Sequence, residues 1–344
     1  MIWDLDNTLF AGVYLESPDQ RPAASPELVP VLTEFASRGI LQAIASRNPP
    51  EAAQYASQLT GQPFAAVRCG WGTKSAAVTG ILAELGLEPA EAAFIDDDAL
   101  ERAEVSYSVP ALLVLAPEDA ADAADWPDFS PAVSTAEGRR RGELYQHRRA
   151  RQEEAAAFGG SQDEFLRLSG TSVRIGYAQL ADLDRLHELS ARTHQFNSAG
   201  VQVSVATFAQ LLAADDQRLV TVRLSDKFGD DGLVGGCVLT ELTDWQVPLL
   251  MMSCRAIGRG VIGALLSWIC LAAVAAGASE VVLDCVINPR NVPLRIALTT
   301  AGFRAEGGPD QPPWARSAGR VASYRRRLDQ PVEPLPGWVT QVPA

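Results

Sequence analysis

At 344 residues the chain has room for two domains, each large enough to bury its own core. Asp and Glu total 42 against 29 Lys and Arg, a formal charge of -13, which does not suit a general phosphate-backbone binder, so no nucleic acid partner is expected. No apolar run is long enough to cross a bilayer, and Met1-Ile2-Trp3-Asp4 lacks the regions of a signal peptide, so a cytoplasmic protein with no membrane partner is expected.

From Met1 to about Pro117, short apolar runs alternate with helical patterns. Leu28, Val31, Leu32 and Phe35 repeat at helical spacing, Gly39 stops that helix, and Ile40 to Ala45 reads as a buried strand. A helix near Glu51 to Leu59, a strand near Phe64 to Val67, a helix from Lys74 to Leu85 and strands at Ala92 to Ile95 and Ala111 to Leu115 follow. Strands separated by helices predict a parallel sheet covered on both faces, with its site at the carboxyl ends of the strands. Pro117 to Gly160, rich first in Ala, Asp and Pro and then in Arg and Glu, reads as a solvated linker plus a charged helix, with no chemistry assigned. Val173 to about Ala305 reads as a second α/β unit: strands at Leu219 to Arg223, Leu233 to Thr240 and Leu249 to Ser253, an apolar helix Val261 to Ala275, a strand Glu280 to Val286 and a helix from Val292. The expected layout is therefore 1–120 as first domain, 121–170 as linker and charged helix, 171–310 as second domain, and 311–344 as an irregular Pro-rich tail with a strand around Arg320 to Tyr324. The cysteines (Cys69, Cys237, Cys254, Cys270, Cys285) include no CxxC pair, so neither a disulfide framework nor a zinc site is expected.

Asp4-Leu5-Asp6-Asn7-Thr8 closes the first strand and places two carboxylates on the same side of the chain. One can attack phosphorus while the other moves protons; surface turns also carry such a pair. Ser46 follows the strand ending at Ala45, where a hydroxyl and neighbouring amides could hold a phosphate oxygen, or merely cap a helix. Lys74 opens a helix, where an ammonium could join the helix terminus in stabilising a phosphoryl group. Asp96, Asp97 and Asp98 follow a strand; adjacent carboxylates repel unless a cation compensates, and magnesium favours oxygen ligands.

In this order, each at a strand end or helix start, these residues resemble the four motifs of the haloacid dehalogenase (HAD) superfamily. The resemblance implies a HAD-like (Rossmannoid) parallel-sheet α/β domain with Asp4 as nucleophile and Asp6 as general acid/base. It makes Ser46 and Lys74 phosphate ligands, with Arg47 and Asn48 in the same binding turn. Magnesium would be held by Asp96, Asp97, Asp4 and the backbone carbonyl of Asp6.

In the second half, Arg255-Ala256-Ile257-Gly258-Arg259-Gly260 lies between a strand and a helix, where bare amides could cradle a pyrophosphate or pantetheine phosphate, or the glycines simply turn the chain. It resembles the coenzyme A loop of the Gcn5-related acetyltransferase (GNAT) fold, implying a GNAT-like α/β domain. With Met252-Ser253-Cys254-Arg255, Arg192-Thr193-His194-Gln195-Phe196-Asn197, Asn291 and Ala301-Gly302-Phe303, nearly the whole chain to about Ala305 is similar to the FkbH-like family. Phe10-Ala11-Gly12 departs from that family's Trp-Gly-Gly, and the first strand begins almost at Met1, which leaves it short.

That resemblance implies a glyceryltransferase/phosphatase for polyketide-type biosynthesis. Such an enzyme takes a phosphoglyceryl unit from 1,3-bisphosphoglycerate, dephosphorylates it, and loads it on a phosphopantetheinylated acyl carrier protein. An acyl phosphate is already activated toward a thiolate, and Cys254, at a strand end beside Arg255, is the expected carrier of the acyl group. Gln195, Asn197, Arg255, Gly258, Gly260 and Asn291 are the expected binding residues of that half. His194 either deprotonates a carrier thiol or occupies an amide position as a hydrogen-bonding side chain. The competing reading is a plain magnesium-dependent phosphatase whose second domain only recruits a partner.

Overall fold

The computed structural model describes residues 1–16, 21–130, 135–193, 195–241, 244–306 and 320–341. The chain divides into two compact units, Met1–Ala150 and Arg151–Ala344, each of mixed α/β architecture.

In the first unit β1 (Ile2–Trp3) runs through a tight turn into a hairpin, β2 (Phe10–Ala11) with β3 (Ala23–Ala24). Four strands follow, each preceded by a helix: α1 (Leu28–Ser37) and β4 (Ala43–Ser46), α2 (Pro50–Thr60) and β5 (Ala66–Cys69), α3 (Lys74–Leu85) and β6 (Ala93–Ile95), α4 (Ala99–Ser108) and β7 (Leu113–Leu115). All sheet pairings are parallel, in the order β5-β4-β1-β6-β7, so the chain steps outward on one side of β1 and then crosses to the other. That reversal beside β1 opens a crevice at the carboxyl ends of the strands.

Alternation along the strands sets the two faces. Trp3, Ile44 and Ile95 pack with Leu32 and Phe35 of α1 and Ala52 and Ala56 of α2 on one side. Ile2, Ala43, Ala45 and Phe94 pack with Val78, Ile81 and Leu82 of α3 and Val105 of α4 on the other. Burial of each large side chain contributes about 1.5–3 kcal/mol.

The segment after β7 is not the solvated linker that its composition suggests. α5 (Pro117–Asp122), α6 (Ala136–Arg139) and α7 (Arg141–Ala157) follow, with Ala120 and Ala123 in the α1-side core, Tyr145 in the other, and Leu144 buried. Alanine-rich composition lowered the apparent hydrophobicity of surfaces that nevertheless pack.

The second unit begins with the end of α7 and α8 (Gln162–Leu168). β8 (Ser172–Tyr177), α9 (Leu183–Arg192), α10 (Val205–Ala213), β9 (Gln217–Asp226), β10 (Gly229–Thr240) and β11 (Trp245–Met252) come next. They are followed by α11 (Val261–Ala275), β12 (Glu280–Val286), α12 (Val292–Thr300), β13 (Arg304–Ala305), β14 (Val321–Arg327) and β15 (Val339–Gln341). The eight strands form one sheet in the order β13-β14-β12-β11-β10-β9-β8-β15. Leu265, Leu266 and Ile269 of α11 and Leu294 and Leu298 of α12 cover one face, while Leu186 of α9 and Phe208 and Leu211 of α10 cover the other.

The strand expected around Arg320 to Tyr324 is β14, which pairs antiparallel with β12 over seven residues, while the expected irregular remainder of the tail is corrected by β15, which pairs parallel with β8 because that strand's backbone edge needs a partner. Residues 311–319 lie outside the described residues. Among the described residues no helix is long and apolar enough to cross a membrane.

Candidate active site

The carboxyl ends of β1, β4 and β6 bring the first-unit candidates together. Asp4 leaves β1 with its backbone N–H on the Ile95 carbonyl at 2.9 Å, which ties it to the end of β6. The chain then turns through Asn7, at φ 49, so that Asp6 projects back to the same edge. Tyr14 N donates to Asp6 Oδ1 at 2.8 Å and Asn48 Nδ2 to Asp6 Oδ2 at 2.9 Å, fixing that carboxylate from two sides. Asn48, only 1% exposed, also donates to Ser46 Oγ at 3.1 Å. The Asn48 amide donor is thus turned inward, where it orients Asp6 and Ser46.

Thr73 caps α3, its hydroxyl accepting from Ala76 N at 3.3 Å, and this puts Lys74 at the first helical position. The Lys74 ammonium donates to Asp4 Oδ1 at 2.5 Å and Asp96 Oδ2 at 2.8 Å, with Glu101 Oε2 at 3.1 Å. Glu101 Oε1 in turn lies 2.9 Å from Arg47 Nη1. Glu101 was not among the residues picked from sequence, although it lies in the first turn of α4, just after the acidic run.

Burial pushes the Asp4 carboxyl up to about 6, with Lys74 pulling against that rise and Asp96 adding to it. Burial alone would lower Lys74, but Asp4 and Asp96 outweigh it and hold the ammonium above the ordinary lysine value. Asp4 and Lys74 thus both move upward, Asp4 through burial and Lys74 through its carboxylate partners. Burial and then Asp96 also raise Asp97.

Carboxylate oxygens of Asp4, Asp96 and Asp97 lie within 4.8 Å of one another. Three hard oxygen donors so close, with Asp97 exposed, fit a magnesium ion, which would neutralise charge on phosphoryl oxygens. The Asp6 carboxylate is not in this group. Asp98 caps α4, accepting from Leu100 N at 2.7 Å.

The second-unit candidates are placed differently. β11 and β12 keep parallel register at Trp245–Val247 against Val281–Leu283, and beyond it the chain 196–198 enters between them. Met252 N donates to Phe196 O at 2.8 Å, Ser198 N to Leu250 O at 2.9 Å, and Val286 N to Ser198 O at 2.7 Å. Gln195 is exposed and Cys254 partly exposed in the turn after β11, whereas Cys237, Cys270 and Cys285 are buried, which raises all three thiols, Cys270 to about 11 and Cys285 to about 12. Cys69 is likewise raised, to about 11, by burial and by Asp4. His194 lies outside the described residues.

Two expected binding amides have partners within the protein. Asn197 donates to the carbonyls of Ser190 and Val201, both at 3.1 Å, and accepts from Gly200 N at 2.9 Å. Asn291, with no exposed surface, donates to Val286 O and accepts from Asn288 N at 3.3 Å. Both staple their own loops, because an open backbone turn leaves buried groups that an amide satisfies.

Gly258 and Gly260 have φ of 74 and 69, values that favour glycine and steer the turn into α11. Gly258 O accepts from Gln162 Nε2, and a side chain at Gly260 would meet the Trp338 ring at 3.2 Å. Arg255 is buried, its Nε donating to Ser253 Oγ at 3.3 Å. Arg259, 4% exposed, binds Asp231 and, at 2.7 Å, Asp226.

No protein-family model matches the chain, and no curated protein matches it either. Among solved structures, the chain is similar to the N-terminal part of the protein BF1531 from Bacteroides fragilis, described as containing a phosphatase domain complexed with Mg. The identity is 25% over 35% of this chain and 36% of that one, with a TM-score of 0.32. It is also similar to the ribosomal-protein-S18-alanine N-acetyltransferase from Escherichia coli, at 15% identity over 47% of this chain and 98% of that one, with a TM-score of 0.36. An N-acetyltransferase from Staphylococcus aureus Mu50 matches at 12% identity over 46% and 99%, with a TM-score of 0.35. The chain spans about a third of the length of the Bacteroides structure. At such overall scores the assignment of each unit rests on its own strand order and side chains.

Proposed function

We propose that the first unit is a magnesium-dependent phosphatase in which Asp4 accepts the phosphoryl group. The observation that carries this reading is the Asp4–Lys74–Asp96 arrangement at the carboxyl edge of a parallel sheet, with contacts of 2.5 and 2.8 Å and Asp97 alongside. Asp4 attacks phosphorus and the ester P–O bond breaks, while Asp6 gives its proton to the leaving alkoxide. Water then attacks the phosphorus of the aspartyl phosphate, its proton passes to Asp6, and the P–O bond to Asp4 breaks to release inorganic phosphate and restore the Asp4 carboxylate. Tyr14 and Asn48 hold Asp6 in orientation, Lys74 offsets charge on the reacting oxygens, and bound magnesium supplies further neutralisation.

The finer reading joins this to acyl transfer. The Cys254 thiolate attacks the acyl carbon of 1,3-bisphosphoglycerate, a C–S bond forms and inorganic phosphate leaves. The first unit removes the remaining phosphate, and glyceryl passes to the thiol of a phosphopantetheinylated acyl carrier protein. Support comes from the FkbH-like sequence pattern and from the partial exposure of Cys254 at the end of β11. The second reading, a phosphatase whose other unit only recruits a partner, is favoured by Arg259, which is turned into an ion cluster instead of standing ready for a phosphate.

Intact mass measurement after incubation with 1,3-bisphosphoglycerate and magnesium separates these readings. Wild type is expected to gain a hydroxylamine-labile glyceryl mass, Asp4→Asn to retain the phosphorylated adduct, and Cys254→Ala to gain neither while still hydrolysing p-nitrophenyl phosphate. Normal phosphate release by Asp4→Asn, or by wild type in excess chelator, would remove the phosphatase assignment. Wild-type carrier loading by Cys254→Ala would remove the covalent route.

A further inference from the structure

We infer that Glu101 is a stand-in for substrate: its carboxylate occupies the two cations of the phosphatase site, Lys74 and Arg47, until an entering phosphoryl group displaces it. This rests on the phosphatase reading above. An ammonium has three N–H bonds, and three carboxylates surround that of Lys74, Asp4 at 2.5 Å, Asp96 at 2.8 Å and Glu101 at 3.1 Å. No hydrogen of Lys74 is left for a phosphoryl oxygen, so substrate must replace one of the three.

Asp4 has to stay in place to attack, and Asp96 is 1% exposed and further held by Asp98 N at 2.9 Å. Glu101 makes the longest contact, its side chain is 12% exposed, and it is carried on a helix turn instead of a strand end. Its other oxygen holds Arg47, whose side chain is 51% exposed at the rim. Two oxygens of one anion bridging a buried ammonium and a half-exposed guanidinium is the arrangement that two phosphate oxygens would make.

Glu101 is thus a positioning residue with a selective consequence. A weak anion cannot displace it, whereas a phosphate dianion, offering more charge and more acceptor oxygens to the same cations, can. Arg47, once released, follows the substrate.

The test titrates wild type, Glu101→Gln, Asp98→Asn and Arg47→Gln with inorganic phosphate in excess magnesium by calorimetry, and assays each with p-nitrophenyl phosphate. Glu101→Gln is expected to bind phosphate about five-fold more tightly, close to 1 kcal/mol, with a lowered KM and no gain in kcat. Asp98→Asn removes the same charge nearby without touching either cation and is expected to stay within about two-fold of wild type. Arg47→Gln should bind more weakly. Weaker binding by Glu101→Gln would make Glu101 an ordinary support for Lys74, and equal tightening in both carboxylate variants would assign the effect to net charge; either overturns the inference. If Glu101→Gln does not fold, Glu101→Asp, which keeps the charge but is too short to span both cations, must show the same tightening. A wild type that binds and hydrolyses normally while Glu101→Gln matches it overturns this inference alone. A wild type that does neither overturns the phosphatase reading as well.

Discussion

Asp96, Asp97 and Asp98 are consecutive carboxylates with three different surroundings. Asp96 is buried against Lys74, Asp97 is exposed with an oxygen in the three-carboxylate group, and Asp98 is engaged as the cap of α4. Magnesium dependence should therefore fall on Asp97 and not on Asp98: Asp97→Ala is expected to shift the activating magnesium concentration upward about ten-fold, and Asp98→Asn, which keeps the cap, to leave it unchanged. Superimposable magnesium titrations would remove that ordering. Asp4, Asp6, Lys74 and Asp96 were legible from sequence because each follows a strand or opens a helix, positions where chemistry and secondary structure coincide. Glu101 was not, since a lone acidic residue inside a helix looks like surface charge until its partners are known. Asn48 shows what a sequence does not: a polar residue in an expected binding turn also faces inward and orients its neighbours.

At the scale of elements, the end of α7, the β9–β10 turn and the loop before α11 are joined by one buried ion cluster. Arg151 Nε donates to Asp226 Oδ2 at 2.5 Å and its Nη2 to Asp231 Oδ2 at 3.4 Å, while Arg259 binds both carboxylates. All four side chains are at most 7% exposed. Removing one arginine leaves carboxylate charge buried without compensation, so Arg259→Met is expected to cost about 3–5 kcal/mol in chemical denaturation of the second unit. The cluster also fixes a pH dependence. Burial would raise Asp226, but Arg151 and Arg259 outweigh it and hold its pKa below the ordinary 3.8. A depressed carboxylate contributes stability that is present above that value and lost as pH falls through the folded-state pKa. Stability measured from pH 6 down to pH 2 should therefore drop less steeply below pH 4 in Arg259→Met than in wild type. Arg151 was read as part of a solvated charged helix and Arg259 was given no role, because a sequence shows charges one at a time and their partners, Asp226 and Asp231, lie in other elements.

For the whole molecule, the α/β class and the order of its two units followed from alternating apolar runs, which fixed most strands within two or three residues. β14 was expected from about Arg320, whereas β15 was obscured by the prolines around it, and the packing of α5 to α7 by alanine. Those late strands matter: deletion of residues 331–344 should uncover the hydrogen-bonding edge of β8, and such protein is expected to associate through that edge on concentration, as light scattering would show. A truncated protein that stays monodisperse would mean that β8 needs no cover. The pairing of β15 with β8 also joins the two ends of the second unit's sequence. On a ribosome, β8 is made well before its partner, so this sheet cannot be completed until residues 339–341 have emerged. During that interval β8 is an open strand with nothing beside it on one side, and a chaperone that binds extended chain would have its longest opportunity there.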